Sequence, residues 1–228
     1  APENRFMSGL PAHLVAKGLG LGAPAFALDA ACASSLYAIR AACDLLHTGQ
    51  ADAMLAGAVN CADDLFIHTG FCALKAMSPT SQSRPFHADA DGLVPAEGAA
   101  LVLLKRLSDA RRDGDDILGV IRGVGLSNDG QGAGLLVPSA EGQQRAIEAA
   151  YAQAGLQPED VTYIECHATG TVVGDRTELQ SMGAVFADQT GVPIGSLKSN
   201  TGHLITAAGT AGLLKVLSAF EHDTLPPS

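Results

Sequence analysis

Apolar positions along the chain fall into two kinds of run. Short, almost wholly apolar blocks, PAFALDAA (24–31), ADAMLAGAVN (51–60) and AALVLLKRL (99–107), have the length and composition of buried strands. Between the first two, ASSLYAIRAACDLLHTG (33–49) places Leu36, Ile39, Leu45 and Leu46 on one face and ends at Gly49, which predicts a helix. The second half repeats this alternation. ILGVIRGVGLS (117–127) is expected as a strand, and SAEGQQRAIEAAYAQAGL as a helix capped by Ser139. VTYIECHATGT then runs from strand into loop, TELQSMGAVFADQTG is a helix, PIGSLKSNTGH is a strand running into a second loop, and GTAGLLKVLSAFEH closes as a helix. Alternating β and α elements predict a mostly parallel sheet covered on both faces.

The polar stretches punctuate this pattern. DARRDGDD is a turn and NDGQGAG (128–134) a glycine-rich loop, but it matches neither phosphate-binding glycine pattern. MSPTSQSRPFHADADGLVP (77–95) is rich in Ser, Pro, Asp and Gly, and a loop this long inside a compact domain is usually functional.

Composition narrows the classes. With 228 residues, 47% of them hydrophobic, the chain can bury a core, and its small aromatic content beside 26 glycines suits close packing through small side chains in an α/β protein. A formal net charge of -10 disfavours nucleic acid or an anionic membrane as partner. No apolar run reaches the roughly 20 residues that span a bilayer, and no signal peptide opens the chain. Five cysteines without a CxxC pair indicate neither a disulfide framework nor a zinc ribbon, so a cytoplasmic, non-secreted protein is expected. A start at Ala1 and an end at LPPS suggest a piece of something longer.

Three of the apolar runs close on reactive side chains: Cys32 in DAAC, His167 in IECH and His203 in KSNTGH. Chemistry in α/β sheets gathers at the carboxyl ends of strands, so the three are expected to converge. A thiol at a helix start feels the positive end of the dipole, which would lower its pKa toward neutrality and make Cys32 a nucleophile beside backbone N–H groups able to hold an oxyanion. Taken singly, a cysteine such as Cys32 is more often a small core residue and a loop histidine more often a bystander; it is their company that points to catalysis. Cys43, Cys61, Cys72 and Cys166 are read as packing residues. As a metal site the set lacks a closely spaced ligand pair, so no metal is expected. Lys198 follows an apolar strand and needs a partner, for which Glu178 in GDRTE is the candidate.

Together, DAACASSL, SRPFHADADGLVPAEGAA, IECHATGTVVGDRTE and KSNTGHLITAAGTAGLLKVL resemble the β-ketoacyl synthase family, the condensing enzymes of fatty acid and polyketide synthesis. The resemblance implies a thiolase-like layered αβαβα fold of two similar halves, incomplete at its N- and C-termini. Residues 1–122 would belong to the half carrying the nucleophile and 123–228 to the half carrying both histidines. It further implies that Cys32 accepts an acyl group from the phosphopantetheine of an acyl carrier protein, while His167 and His203 assist decarboxylation of a malonyl thioester. Lys198 and Glu178 fall on the family's supporting lysine and acid. The resemblance implies a homodimer and no metal or redox cofactor. The loop style is nearer to multidomain polyketide or polyunsaturated fatty acid systems than to stand-alone fatty acid enzymes. Ala30, Ala33 and HATGT are small-for-small departures from the family pattern, whereas Pro95 and Ala96 stiffen a segment the family keeps flexible. Competing readings are a Cys–His hydrolase, which would need an Asn or Asp to orient its histidine, and an inactive or structural ketosynthase fragment.

Overall fold

A computed structural model describes residues 9–62, 64–132, 134, 137–187, 189 and 191–228. Ala133 of the glycine-rich loop, and Asp188 and Thr190 of the helix expected over 177–191, lie outside the described residues.

The helices follow the apolar spacing. After α1 (Leu10–Leu19) comes α2 (Ser34–His47), whose Ile39, Ala42 and Leu46 are buried on one face. On its polar side Arg40 and Asp44 pair one turn apart at 3.0 Å. Helix α2 lies on β1 (Ala53–Asn60). A short helix, α3 (Thr69–Ala73), precedes β2 (Gly98–Lys105). Strands β1 and β2 pair antiparallel from Ala53 opposite Lys105 to Asn60 opposite Gly98. Met54, Ala56, Val102 and Leu104 on one face join Ile39 and Ala42 in a core. The other face turns Val59, Leu101 and Leu103 outward.

Helices α4 (Leu107–Asp113) and α5 (Ala140–Ala154) follow. At the start of α5 the Ser139 hydroxyl accepts the Gly142 N–H at 3.1 Å, as its capping position predicts. A second small sheet pairs β3 (Ile164–Glu165) with β4 (Ile194–Gly195) in parallel, joined through α6 (Val172–Val185). Beneath it Cys166, Ala168 and Met182 form a second core with Phe86 and Phe186 at its edge. The chain closes with the one-turn α7 (Lys198–Thr201) and α8 (Ala208–His222).

Three expectations are corrected. Instead of one mostly parallel sheet, the described residues form an antiparallel pair and a parallel pair. An apolar run marks an extended segment but fixes neither which of its residues are buried, since Leu101 and Leu103 are exposed, nor the neighbour that completes a ladder. Segments 24–31 and 117–127, both expected as strands, have no ladder partner among the described residues. The second of them packs on a helix: a Cβ at Gly125 would collide with the Ala146 carbonyl, so only glycine permits the approach to α5. The third difference is α6, which begins at Val172 rather than Thr177.

The two halves do share one device. A 3₁₀ turn, Ala31–Ala33, leads into α2, and another, Ile205–Ala207, leads into α8. Each opens on a non-glycine residue in the left-handed region, Ala31 at φ 49° and Ile205 at φ 44°. The two turns touch, and the helices meet through small groups: the fully buried Ser35 hydroxyl accepts the Thr210 N–H at 3.0 Å.

Candidate active site

Cys32 is the middle residue of the first of these turns. Asp29 Oδ1 accepts the Ala31 N–H at 2.8 Å, and Ser34 Oγ both accepts from Ala30 N at 2.9 Å and donates to Ala31 O at 2.7 Å. These bonds hold Ala31 in its unfavourable conformation, costing of order 1 kcal/mol, and leave Cys32 half-buried at the start of α2. The thiol does not follow the expectation of a lowered pKa. Burial pushes it up, and the Lys198 charge and a backbone hydrogen bond only partly oppose this. Loss of solvent around the thiolate outweighs both, so the resting group is the thiol.

The second turn is preceded by His203. Its N–H donates to Val94 O at 2.7 Å, and its carbonyl accepts from Ala96 N at 2.9 Å. Pro95 sits between these two bonds opposite His203, and the ladder makes no demand on the N–H that proline lacks. The Pro95 and Ala96 departure from the family pattern is thus accommodated without loss of a bond. Gly202, at φ 76°, is required here, since a Cβ would stand 2.8 Å from Val94 O. The imidazole is 1% exposed, and its Nε2 lies 3.0 Å from Cys32 Sγ. Its Nδ1 is buried without a hydrogen-bond partner among the described residues. Burial first, then the neighbouring His167 and Lys198, lower its pKa to about 2, so it is neutral at physiological pH.

His167 follows β3 on a loop gripped from below by α6. Glu178 accepts the N–H groups of His167 and Ala168 at 2.6 and 2.7 Å, and the buried Asp175 accepts those of Thr169 and Gly170 at 3.1 and 3.2 Å. Two carboxylates three residues apart therefore hold four successive backbone donors. The His167 ring stands edge-on to that of His203, with centroids 5.3 Å apart and planes at 84°. His167 keeps one side open to solvent while protein crowds the other, and this desolvation, with the Lys198 charge, moves its pKa downward. The sulfur and one nitrogen of each histidine all lie within 4.8 Å of one another. The predicted convergence of Cys32, His167 and His203 is present.

Lys198 is buried beside them, but its expected pairing is corrected: no carboxylate lies at ion-pair distance from its ammonium among the described residues. Glu178 spends its oxygens on the loop backbone and acts on Lys198 only through its field. Burial lowers the lysine pKa and raises that of Glu178, each partly countered by the other's charge. Behind Lys198, Glu165 accepts the Leu197 N–H at 2.6 Å and the Tyr163 hydroxyl at 2.7 Å, and forms a buried ion pair with Lys215 at 2.9 Å. The long loop 77–95 stitches these parts together: Ser83 donates to Lys198 O, Phe86 N to Asp175 Oδ2, and Gly92 N to Gly170 O.

Sequence reasoning missed Asp175, Glu165 and Lys215. Asp175 had a signal, since it stands in GDRTE one helical turn before Glu178; the buried pair had none, because Glu165 and Lys215 are 50 residues apart in an apolar context. Chemically, the site joins a thiol to two neutral imidazoles able to give or receive hydrogen bonds around one oxygen, with a cation behind them.

Comparison with known families decides the assignment. Residues 2–110 match the family model "Beta-ketoacyl synthase, N-terminal domain" and residues 118–228 the "Beta-ketoacyl synthase, C-terminal domain". The chain belongs to the β-ketoacyl synthase family. A PKS-NRPS hybrid synthetase of Aspergillus candidus is 47% identical over 92% of this chain and 9% of its own length. One subunit of a polyunsaturated fatty acid synthase of Thraustochytrium is 45% identical over 96% of this chain and 11% of its own. Among solved structures, a PfaC keto synthase–chain length factor superimposes with a TM-score of 0.92 at 50% identity, covering 96% of this chain and 24% of that one. The ketosynthase from module 6 of the bacillaene synthase of Bacillus subtilis gives 0.93 at 37% identity, covering 99% and 42%. The fold is thus the thiolase-like ketosynthase fold. The chain spans about a tenth of the length of the curated relatives it matches. No described helix is long and apolar enough to cross a membrane.

Proposed function

We propose that this chain carries the acyl-transfer and condensation chemistry of a β-ketoacyl synthase. The observation that carries the reading is the meeting of Cys32 Sγ with His203 Nε2 at 3.0 Å, and with His167 inside the same 4.8 Å cluster. In the first half-reaction the Cys32 sulfur attacks an acyl thioester on the phosphopantetheine of an acyl carrier protein. The thiol proton passes to the departing pantetheine sulfur, and the neutral His203 beside it is the group that relays it. In the second half-reaction His167 and His203 donate hydrogen bonds to the carbonyl oxygen of a malonyl-type thioester as it loses carbon dioxide and becomes an enolate. The enolate carbon attacks acyl-Cys32, the cysteine sulfur departs, and a β-ketoacyl thioester results. Lys198 adds positive charge near the developing oxyanion, and Glu178 supports it by shaping the His167 loop.

The partner is then an acyl carrier protein, the working unit a homodimer in the cytoplasm, and the reaction proceeds without metal or redox cofactor. Residues 1–122 and 123–228 act as the two halves that contribute nucleophile and histidines. A hydrolase using Cys32 and His167 would have no use for His203, and yet His203 Nε2 lies 3.0 Å from the Cys32 sulfur.

Intact-protein mass spectrometry after incubation with a short acyl-pantetheine thioester tests the reading. An acyl adduct on Cys32, absent from Cys32→Ala, is expected; His167→Ala should keep loading while losing release of carbon dioxide from a malonyl thioester. Undiminished loading in Cys32→Ala would sink the assignment.

A further inference from the structure

The three side chains that meet at this site are also a metal-ligand set. We propose that Cys32, His167 and His203 supply the three protein ligands of a site for Zn²⁺, or a divalent ion of similar softness, and that its occupation blocks the nucleophile. The inference is built on the donor atoms alone and does not depend on the condensation chemistry.

Distances decide whether an ion fits. Tetrahedral zinc with Zn–S near 2.3 Å and Zn–N near 2.05 Å requires the sulfur about 3.6 Å from each nitrogen and the nitrogens about 3.3 Å apart. Here Cys32 Sγ and His203 Nε2 are 3.0 Å apart, and no pair in the cluster exceeds 4.8 Å. The first pair must open by about 0.6 Å and the widest must close by at most about 1.5 Å. Two side chains have to move, the half-buried Cys32 turning away from His203 and His167 closing on both. His203 is locked by its ladder bonds and burial, whereas His167 is open to solvent on one side. Of the three ligands it is the thiol that gives up a proton on binding. In the binding step its S–H bond breaks, the proton leaves to solvent, the Zn–S bond forms, and nothing is oxidised or reduced. A water fills the fourth position, as in zinc sites with three protein ligands.

One charge opposes the ion. Lys198 faces the cluster and acts electrostatically on all three ligands. Its ammonium repels a divalent cation, while the Glu178 and Asp175 carboxylates beneath the His167 loop favour it. The lysine that would assist an oxyanion is therefore also the group that limits capture of metal. Removing its charge should tighten binding while impairing catalysis, a combination that loss of fold cannot produce.

The test uses Co²⁺ as a spectroscopic probe and Zn²⁺ as competitor. One equivalent of Co²⁺ added to the protein is expected to give the ligand-field bands of a tetrahedral site and a thiolate-to-cobalt charge-transfer band, both displaced by Zn²⁺. Cys32→Ser should abolish the charge-transfer band, His167→Ala should weaken Zn²⁺ affinity by tenfold or more, and Lys198→Met should strengthen it severalfold. Acyl loading followed in the same samples should fall in proportion to Zn²⁺ occupancy and return with chelator. Octahedral cobalt spectra, a charge-transfer band that survives Cys32→Ser, or unchanged affinity in His167→Ala would each overturn the proposal. Loading without added metal reports separately on the ketosynthase reading, so the two can fail independently.

Discussion

Lowering the pH from 7 to 5 should remove about 2 kcal/mol of folding stability through His203 alone. In the folded protein this imidazole stays neutral down to about pH 2, whereas in the unfolded chain it takes a proton near its ordinary value of 6.5. The folded-state pKa is depressed, so below 6.5 the unfolded state binds the extra proton. Stability present above that pH is lost as the pH falls toward 2, with a limiting slope of about 1.4 kcal/mol per pH unit. Integrating that slope from pH 7 to 5, with its onset near 6.5, gives the figure for the single group. The side chain is 1% exposed, so solvent screening does not discount it. Urea unfolding at pH 7, 6 and 5 measures the loss, with His203→Gln as reference because glutamine does not titrate. The wild-type protein should lose about 2 kcal/mol more over this range than the variant, whatever the other acids contribute to both. A histidine proton resonance of residue 203 should also stay unshifted to pH 5. Equal losses in the two proteins, or a resonance that titrates near pH 6, would refute the reasoning.

Three further outcomes are expected. Asp175→Asn leaves at least one of the Phe86, Thr169 and Gly170 N–H groups facing an amide NH₂, which should cost about 1–3 kcal/mol in chemical denaturation and speed amide exchange in 167–170. Lys215→Met strands the Glu165 carboxylate in a buried position and should cost about 3–5 kcal/mol; adding Glu165→Gln should recover part of it, and a double variant no better than the single would contradict the ion-pair account. Because burial raises the Cys32 pKa, its alkylation by iodoacetamide should keep accelerating with pH above 8.5; a plateau near pH 7 would mean a thiolate at rest.

The sequence revealed some parts of this molecule more fully than others, for physical reasons. Helices α2, α5 and α8 lie within a residue or two of their expected bounds, because apolar spacing and the Ser139 cap are local signals. The β1 and β2 strands were legible as apolar runs, but neither the exposure of one face, with Val59, Leu101 and Leu103, nor their antiparallel pairing across the 37 residues between them was. Residues 24–31 and 117–127 carry strand-like composition without a partner, and composition does not report partners. The early start of α6 is a tertiary effect: VVGDR is a weak helix former, and Asp175 gains three backbone donors only if the helix is already formed there. The site was legible as reactive residue types after apolar runs, although the run ahead of Cys32 is not a strand of either sheet. Which carboxylate holds what was not: Glu178 binds backbone rather than Lys198, and the pair behind Lys198 comes from Glu165 and Lys215.

The grip of α6 on the four N–H groups of residues 167–170 divides labour within the loop. Its course is set by backbone donors and two acids on a helix, and none of those bonds uses the side chain at position 167, whose ring meets His203 edge-on. A residue freed of architectural duty can be exchanged without redrawing the pocket. Replacing His167 by glutamine, asparagine or cysteine should therefore change what the cleft does to a carbonyl while leaving the main chain where it is, which makes this position the natural one at which to graft a different reaction onto the scaffold.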